Sequence, residues 1–224
     1  MEKYKKRYLQ VAIDSPAAAG AGTQAKLISK HYNLFYLDSG KIYRLLAYLK
    51  IKNPNKFSYS FISKKMRVLK MLDLQSKKLL SDRVGNMASV IAKDIKIRKL
   101  VHSFQMKCAY DPPKKYKGSV IDGRDITYNI MPEADFKFFI TASAKTRALR
   151  RYKELKRLNK KISLNEVLKS IKKRDKNDYN RKFSPLKRTM DQYLISSENE
   201  SKRSCFLKIK QIIDKKLTFN GNIQ

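Results

Sequence analysis

Residues 7–38 read RYLQVAID (7–14), SPAAAGAG (15–22), TQAKLISKHYN (23–33) and LFYLD (34–38), and the order of these four pieces decides the fold. The first ends in an apolar run, the pattern of a buried strand. The second is a loop of Ser, Pro, Ala and Gly, the third an amphipathic helix, and the fourth a second short strand. Strand, small-residue loop, helix and strand together open a βαβ unit. Such a loop can hold a phosphate, because its backbone N–H groups and the positive end of the following helix converge on it. Set against the pattern G-x-x-x-x-G-K-[ST], Ser15 stands at the first glycine, Gly20 at the second and Ala21 at the lysine. By itself this is a partial match, equally readable as a small-residue turn between a strand and a helix.

Outward from this unit, residues 57–110 carry apolar positions at three- and four-residue spacing, as in FISKKMRVLKMLDL (61–74) and IRKLVHSFQMKCAY (97–110), and predict helices until Asp111-Pro112-Pro113. Two further strands are expected at GSVID (118–122) and FKFFITAS (136–143). Charged helices follow over 144–177, the second opened by a Ser163–Glu166 capping box. Asn180–Thr189 reads as a basic loop, YLISSE (193–198) as a last strand and SKRSCFLKIKQIIDKKL (201–217) as a last helix. Strands alternating with helices predict a three-layer α/β/α fold on a parallel sheet of about five strands, with helical material inserted after the second.

The composition bounds the function. Hydrophobic residues make up 42%, enough for a packed core. No apolar run reaches the roughly 18–20 residues of a membrane span, and the N-terminus has no signal-peptide pattern, so a cytoplasmic protein is expected. Cys108, Cys205, His31 and His102 are isolated in the sequence and predict neither a disulfide framework nor a metal site. The net charge is +33, yet its basic residues are spread along the whole chain rather than gathered in a tail. Lys, Asn, Ile, Tyr and Phe share A/T-rich codons, so most of the lysine excess reads as compositional drift. Weak nucleic-acid binding is allowed, not required.

The stretch IDSPAAAGAGTQAKLISKHYNLFYLDSGKIYR (13–44) resembles the start of bacterial cytidylate kinases, P-loop proteins of the nucleoside-monophosphate kinase superfamily. That family opens I-D-G-P-x-x-x-G-K-G-T and continues to L-D-[ST]-G-x-x-Y-R, which residues 37–44 match at every fixed position. NMASVIAKDIKIR (86–98) is similar to the family's N-x-A-S helix and V-R. IDGRD (121–125) resembles A-D-G-R-D, and KKRDKNDYNRKFSPL (172–186) resembles R-D-x-x-D-x-x-R-x-x-x-P-L. The elements occur in the right order and cover nearly the whole chain.

The resemblance implies transfer of the γ-phosphate of ATP, with Mg²⁺, to CMP or dCMP by a monomeric enzyme. It puts ATP on Ser15, Pro16, Ala17, Ala18, Ala19, Gly20, Ala21, Gly22 and Thr23, with the Thr23 hydroxyl on the metal side and Asp14 or Asp122 holding metal-bound waters. CMP would be held by Ser39, Tyr43, Arg44, Ser89, Arg98, Arg124, Asp125, Arg174, Asp178 and Arg181. Arg44 and Arg124 suit the acceptor phosphate, because a guanidinium bonds it in charge-assisted, often bidentate fashion. Ser89, Arg98 and Asp125 suit the cytosine edge, which needs both donors and acceptors. Arg124, Arg147, Arg151 and Arg181 would stabilise charge on the transferring phosphoryl group. The core is expected over 1–40, 111–144 and 184–224, an acceptor lobe over 41–110 and a lid over 145–183.

Two features depart from the family pattern. Ala21 replaces the lysine that bridges the β- and γ-phosphates, with Lys26 and Lys41 as candidate substitutes. Residues 45–85 show no alternating strand pair where the family inserts a small β-containing lobe, so a shortened lobe is expected. Two other functions stay open: a weak or inactive nucleotide- or RNA-binding protein on the same scaffold, and a kinase with UMP as acceptor.

Overall fold

A computed structural model describes residues 9–157 and 161–219. Arg7, Tyr8, Leu158 and the ends of the expected core range, 1–6 and 220–224, lie outside them. The central sheet holds β1 (Leu9–Asp14), β2 (Phe35–Asp38), β3 (Gly118–Gly123), β4 (Phe136–Thr141) and β5 (Tyr193–Ser196). All pair in parallel, in the order β2-β3-β1-β4-β5. β1 and β3 are buried nearly throughout, as expected of central parallel strands covered on both faces. The sheet therefore has the α/β architecture read from the sequence.

Eight helices flank it among the described residues: α1 (Ala21–Tyr32), α2 (Ser39–Lys52), α3 (Tyr59–Arg67), α4 (Asp82–Ile91), α5 (Ile95–Tyr110), α6 (Ala144–Arg157), α7 (Leu164–Tyr179) and α8 (Lys202–Phe219). Local chemistry sets their ends. Asp38, Ser81 and Asp94 cap α2, α4 and α5 with side-chain oxygens that accept backbone N–H groups. Ser163 and Glu166 form the expected reciprocal box at α7. Asn33 closes α1 in the left-handed conformation, with φ 53°. Described residues 41–110 contain helices and short 3₁₀ turns and no strand.

One apolar cluster packs α2, α4 and α5 against Ala12, Leu37 and Ile121 on one side of the sheet. A second packs α1 and α8 against Val11, Ile13, Phe136 and Phe138 on the other. The α6–α7 pair has its own small core of Ala148, Leu155, Val167 and Ile171. It is thus joined to the rest mainly by polar contacts.

Register brings three aspartates to one edge of the sheet. Asp38 pairs with Asp122, and Ile13, the neighbour of Asp14, pairs with Asp122 on the other side. This edge is the carboxyl end of the strands, where open parallel sheets hold their ligands. Asp14 faces the interior and is wholly buried. It accepts from the Ile126 N–H at 2.8 Å, the Thr127 N–H at 3.0 Å and the Thr127 hydroxyl at 2.6 Å. Burial pushes its carboxyl up to about 6, and the charge of Asp125 acts in the same direction. Asp14→Ala strands these donors in the interior, and each costs about 1–3 kcal/mol when unpaired. The variant should lose about 3 kcal/mol or more of unfolding free energy, measured by urea denaturation.

Candidate active site

The loop after β1 is held by its own backbone. The Thr23 and Gln24 N–H groups both donate to the Gly20 carbonyl, at 3.0 and 3.1 Å. Gly20 has φ 95° and Ala18 φ 61°, the left-handed turns that let the loop double back before α1. Ala17 is clamped from outside: its N–H reaches Asp175 at 3.4 Å and its carbonyl accepts from Arg147 at 2.8 Å. Ser15, Pro16 and Ala18 through Thr23 line a large open cavity of about 710 Å³, whereas Ala17 does not. α1 begins at Ala21, whose methyl brings no charge to the helix end.

Basic side chains crowd this loop cavity: Lys26, Arg44, Arg124, Arg150, Arg151, Lys153, Arg157, Arg174 and Lys202. Arg151 is tethered to Asp82, Glu154 and the Leu80 carbonyl. Arg150 is held on the Ser197 and Glu198 carbonyls. The acidic counterpart is Asp38 and Asp122 at the strand ends. Tyr36 donates to Asp122 at 2.9 Å. Burial raises the proton affinity of the Asp122 carboxyl, and the neighbouring Asp38 charge raises it further. This carboxylate pair and Thr23 line the same cavity and offer hard oxygen donors. Among the described residues no cluster of His, Cys, Asp and Glu forms a complete metal cage. Such a partial oxygen set fits Mg²⁺, which keeps waters and takes its other ligands from phosphates.

A second, narrower cavity of about 60 Å³ opens beside the first. Its lining includes all ten residues predicted for the acceptor: Ser39, Tyr43, Arg44, Ser89, Arg98, Arg124, Asp125, Arg174, Asp178 and Arg181. At one end Arg98 and Arg181 share the Asp125 carboxylate, to which the Asn129 amide also donates at 2.8 Å. Tyr43 lies under the Arg98 guanidinium, 5.7 Å from it, and its buried hydroxyl has no partner among the described residues. Burial pushes that phenol up to about 12. Ser89 accepts from the Asn177 amide at 3.2 Å, which joins α4 to α7.

At the other end Arg44, Arg124 and Arg174 converge. Arg124 bonds Asp178 at 2.8 Å, and Arg44 donates to the Leu79 carbonyl at 2.6 Å. The buried Nε of Arg174 has no partner among the described residues. Its acidity reports the crowding: burial and then the charges of Arg44 and Arg124 bring its guanidinium down to about 9.

The structure leaves four expected residues away from these cavities, the first being Ala17, which is held by the clamp described above. Arg147 does not face the loop cavity; its guanidinium is buried between the Ala142 and Ala17 carbonyls and the Asp175 carboxylate. Asp14 cannot hold metal-bound waters at the cavity, because both its oxygens are committed inside the fold. Lys41 lines neither cavity. Arg181 faces the narrow cavity alone, while Arg124 and Arg151 reach the loop cavity. Sequence reasoning missed Arg150, Lys153 and Arg157. Their three- and four-residue spacing marks one face of α6 and could have found them.

The chain matches the cytidylate kinase family model over residues 11–215. The chain belongs to the cytidylate kinase family. Similar proteins include the cytidylate kinases of Clostridium tetani, 37% identical with 91% of this chain and 93% of that protein covered. Those of Mesorhizobium japonicum and Mesomycoplasma hyopneumoniae are 35% and 33% identical, each with 93% of this chain and 95% of the relative covered.

An unpartnered hydroxyl in a cavity costs stability in the empty protein. Tyr43→Phe should therefore stabilise the free protein by about 1 kcal/mol in thermal or urea unfolding, even though the residue lines the site.

Proposed function

We propose that the protein is a (d)CMP kinase, moving the γ-phosphoryl group of ATP to CMP or dCMP. The observation that carries this reading is the unneutralised cluster of Arg44, Arg124 and Arg174 at the mouth between the two cavities. Three converging guanidiniums, of which only Arg124 is paired with a carboxylate, Asp178, are matched to a dianion such as a nucleotide 5′-phosphate. The acceptor base then falls toward Asp125, Arg98 and Ser89. Cytosine presents an exocyclic amine that donates, and ring N3 and O2 that accept. A carboxylate beside guanidiniums and a hydroxyl complements that edge. Uracil reverses this edge, with a carbonyl in place of the amine and a donor N3–H in place of the acceptor, so it sets an acceptor where cytosine sets the amine for Asp125.

The narrow cavity is smaller than a nucleotide, and side chains of α4 and α7 bridge it through Ser89–Asn177 and Asn86–Ser170. Binding CMP therefore parts these helices, and the residues regroup around the ligand. This is the usual way that paired lobes exclude water from a transferring group. The division into a core, an acceptor lobe over 41–110 and a lid over 145–183 belongs to the same proposal.

In the transfer itself an acceptor phosphate oxygen bonds to the γ-phosphorus while the bond from that phosphorus to the β–γ bridging oxygen breaks, leaving ADP. Arg124 and Arg174 line both cavities and so span the path between donor and acceptor. Arg151 adds positive charge over the equatorial oxygens. Thr23, Asp38 and Asp122 are the residues that would hold Mg²⁺, which would supply charge neutralisation to the donor phosphates.

The test is ADP formation by purified protein with Mg-ATP and CMP. CMP-dependent turnover is expected, abolished by a metal chelator and reduced at least about 100-fold in Arg124→Ala, the scale for losing one preorganised charge donor. CMP should be used far better than UMP, and Asp125→Ala should narrow that gap. CMP binding without turnover would make the protein a nucleotide-binding member of the family and overturn the proposal.

A further inference from the structure

The loop lacks the cation that a lysine at position 21 would give it, and the structure offers one from the same helix. Lys26 is exposed into the loop cavity, one helical turn after Gly22. Residues four apart share a helix face, and Cα–Cβ bonds tilt toward the N-terminus. The face that Lys26 continues is defined by Gly22, where an added Cβ would lie 3.3 Å from the Tyr36 hydroxyl and 3.7 Å from the Asp122 carboxylate. Lys26 thus projects back along α1 toward the loop and the strand-end carboxylates.

The other cations around this cavity are less suited, Arg174 because it also lines the narrow cavity and belongs to the acceptor end. Arg150 and Arg151 are committed to the partners described above, Arg124 to Asp178 and Arg44 to backbone carbonyls. Lys153 and Arg157 stand on α6, and Lys202 on α8. Lys26 makes no hydrogen bond or ion pair among the described residues and sits on the helix that carries the loop.

We propose that Lys26 supplies the positive charge on the β- and γ-phosphates of the donor that Ala21 cannot. The inference rests on the kinase reading, since it assigns the residue to a bound nucleoside triphosphate. Lys26 takes no part in bond making. It binds the non-bridging oxygens, and its charge offsets what develops on the β–γ bridging oxygen as ADP departs. A four-carbon stem starting five residues further along α1, about 7.5 Å of helix, replaces a lysine at the helix end, and the alanine there leaves room for it.

The test compares the parent, Lys26→Met, Ala21→Lys and the double variant Ala21→Lys/Lys26→Met, each checked for an unchanged melting temperature. Lys26→Met should lower kcat about 100-fold with little change in the KM for CMP, the scale for one lost charge donor. In that background Ala21→Lys should restore at least about a tenth of parental kcat, because either lysine fills the same role. Calorimetry supplies a readout free of turnover: Lys26→Met should weaken ATP binding at least about tenfold and leave AMP binding unchanged. A kcat within about threefold of parent, a loss that Ala21→Lys does not rescue, or equal weakening of ATP and AMP would each overturn the assignment. If no protein in the set turns over CMP but ATP binding still depends on Lys26, the kinase reading falls and the role of Lys26 stands.

Discussion

The Asp14 carboxylate is the fixed point of the site. It lies at the end of the central strand, out of contact with water, and receives the backbone of the loop that follows β3. Thr127 passes the contact on, accepting from the Gln192 amide just before β5. One carboxylate thereby links β1, the segment bearing Arg124 and Asp125, and the entry to the last strand. A buried charge that accepts several N–H and O–H groups is directional in a way that apolar packing is not. The positions of Arg124 and Asp125 are consequently set by the interior of the fold and not by their mutual attraction.

On that scaffold the site holds two poles of opposite sign within a few residues. Asp38 and Asp122 form an acidic end at the strand tips, while Arg44, Arg124 and Arg174 crowd together into a basic end. Neither pole is balanced internally, and Tyr43 and Arg174 keep buried polar atoms unpaired. Each imbalance lowers the stability of the empty protein, and a ligand of complementary charge removes it. Preorganised sites characteristically carry such local conflict and rely on the rest of the fold for stability. Here the two extended apolar clusters on the faces of the sheet supply it.

Much of this was legible in the sequence. The strands are short apolar runs between helical periodicities, so the sheet could be read from the pattern alone. The ten residues around the narrow cavity stand in motifs whose order is kept from Ser39 to Arg181, and the fold brings them together. What the sequence could not tell was direction. Arg147, Arg150 and Arg151 lie three and four apart on α6, and spacing alone does not say which of them turns into the protein. Burial of Arg147 between two carbonyls and Asp175 is a tertiary outcome. Asp14 and Asp122 likewise end neighbouring strands and look equivalent in sequence. Only the register and the path of the chain after β3 turn one inward and leave the other at the cavity.

The clamp on Ala17 has a further consequence. Arg147 from α6 and Asp175 from α7 hold the carbonyl and the N–H of one loop residue, and neither lines the loop cavity. The α6–α7 pair and the loop are thus tied to each other through the backbone of a single alanine. A screen for defects in triphosphate affinity would recover Arg147 and Asp175 alongside the loop itself, and the genetic footprint of the loop would extend onto helices far from it in sequence.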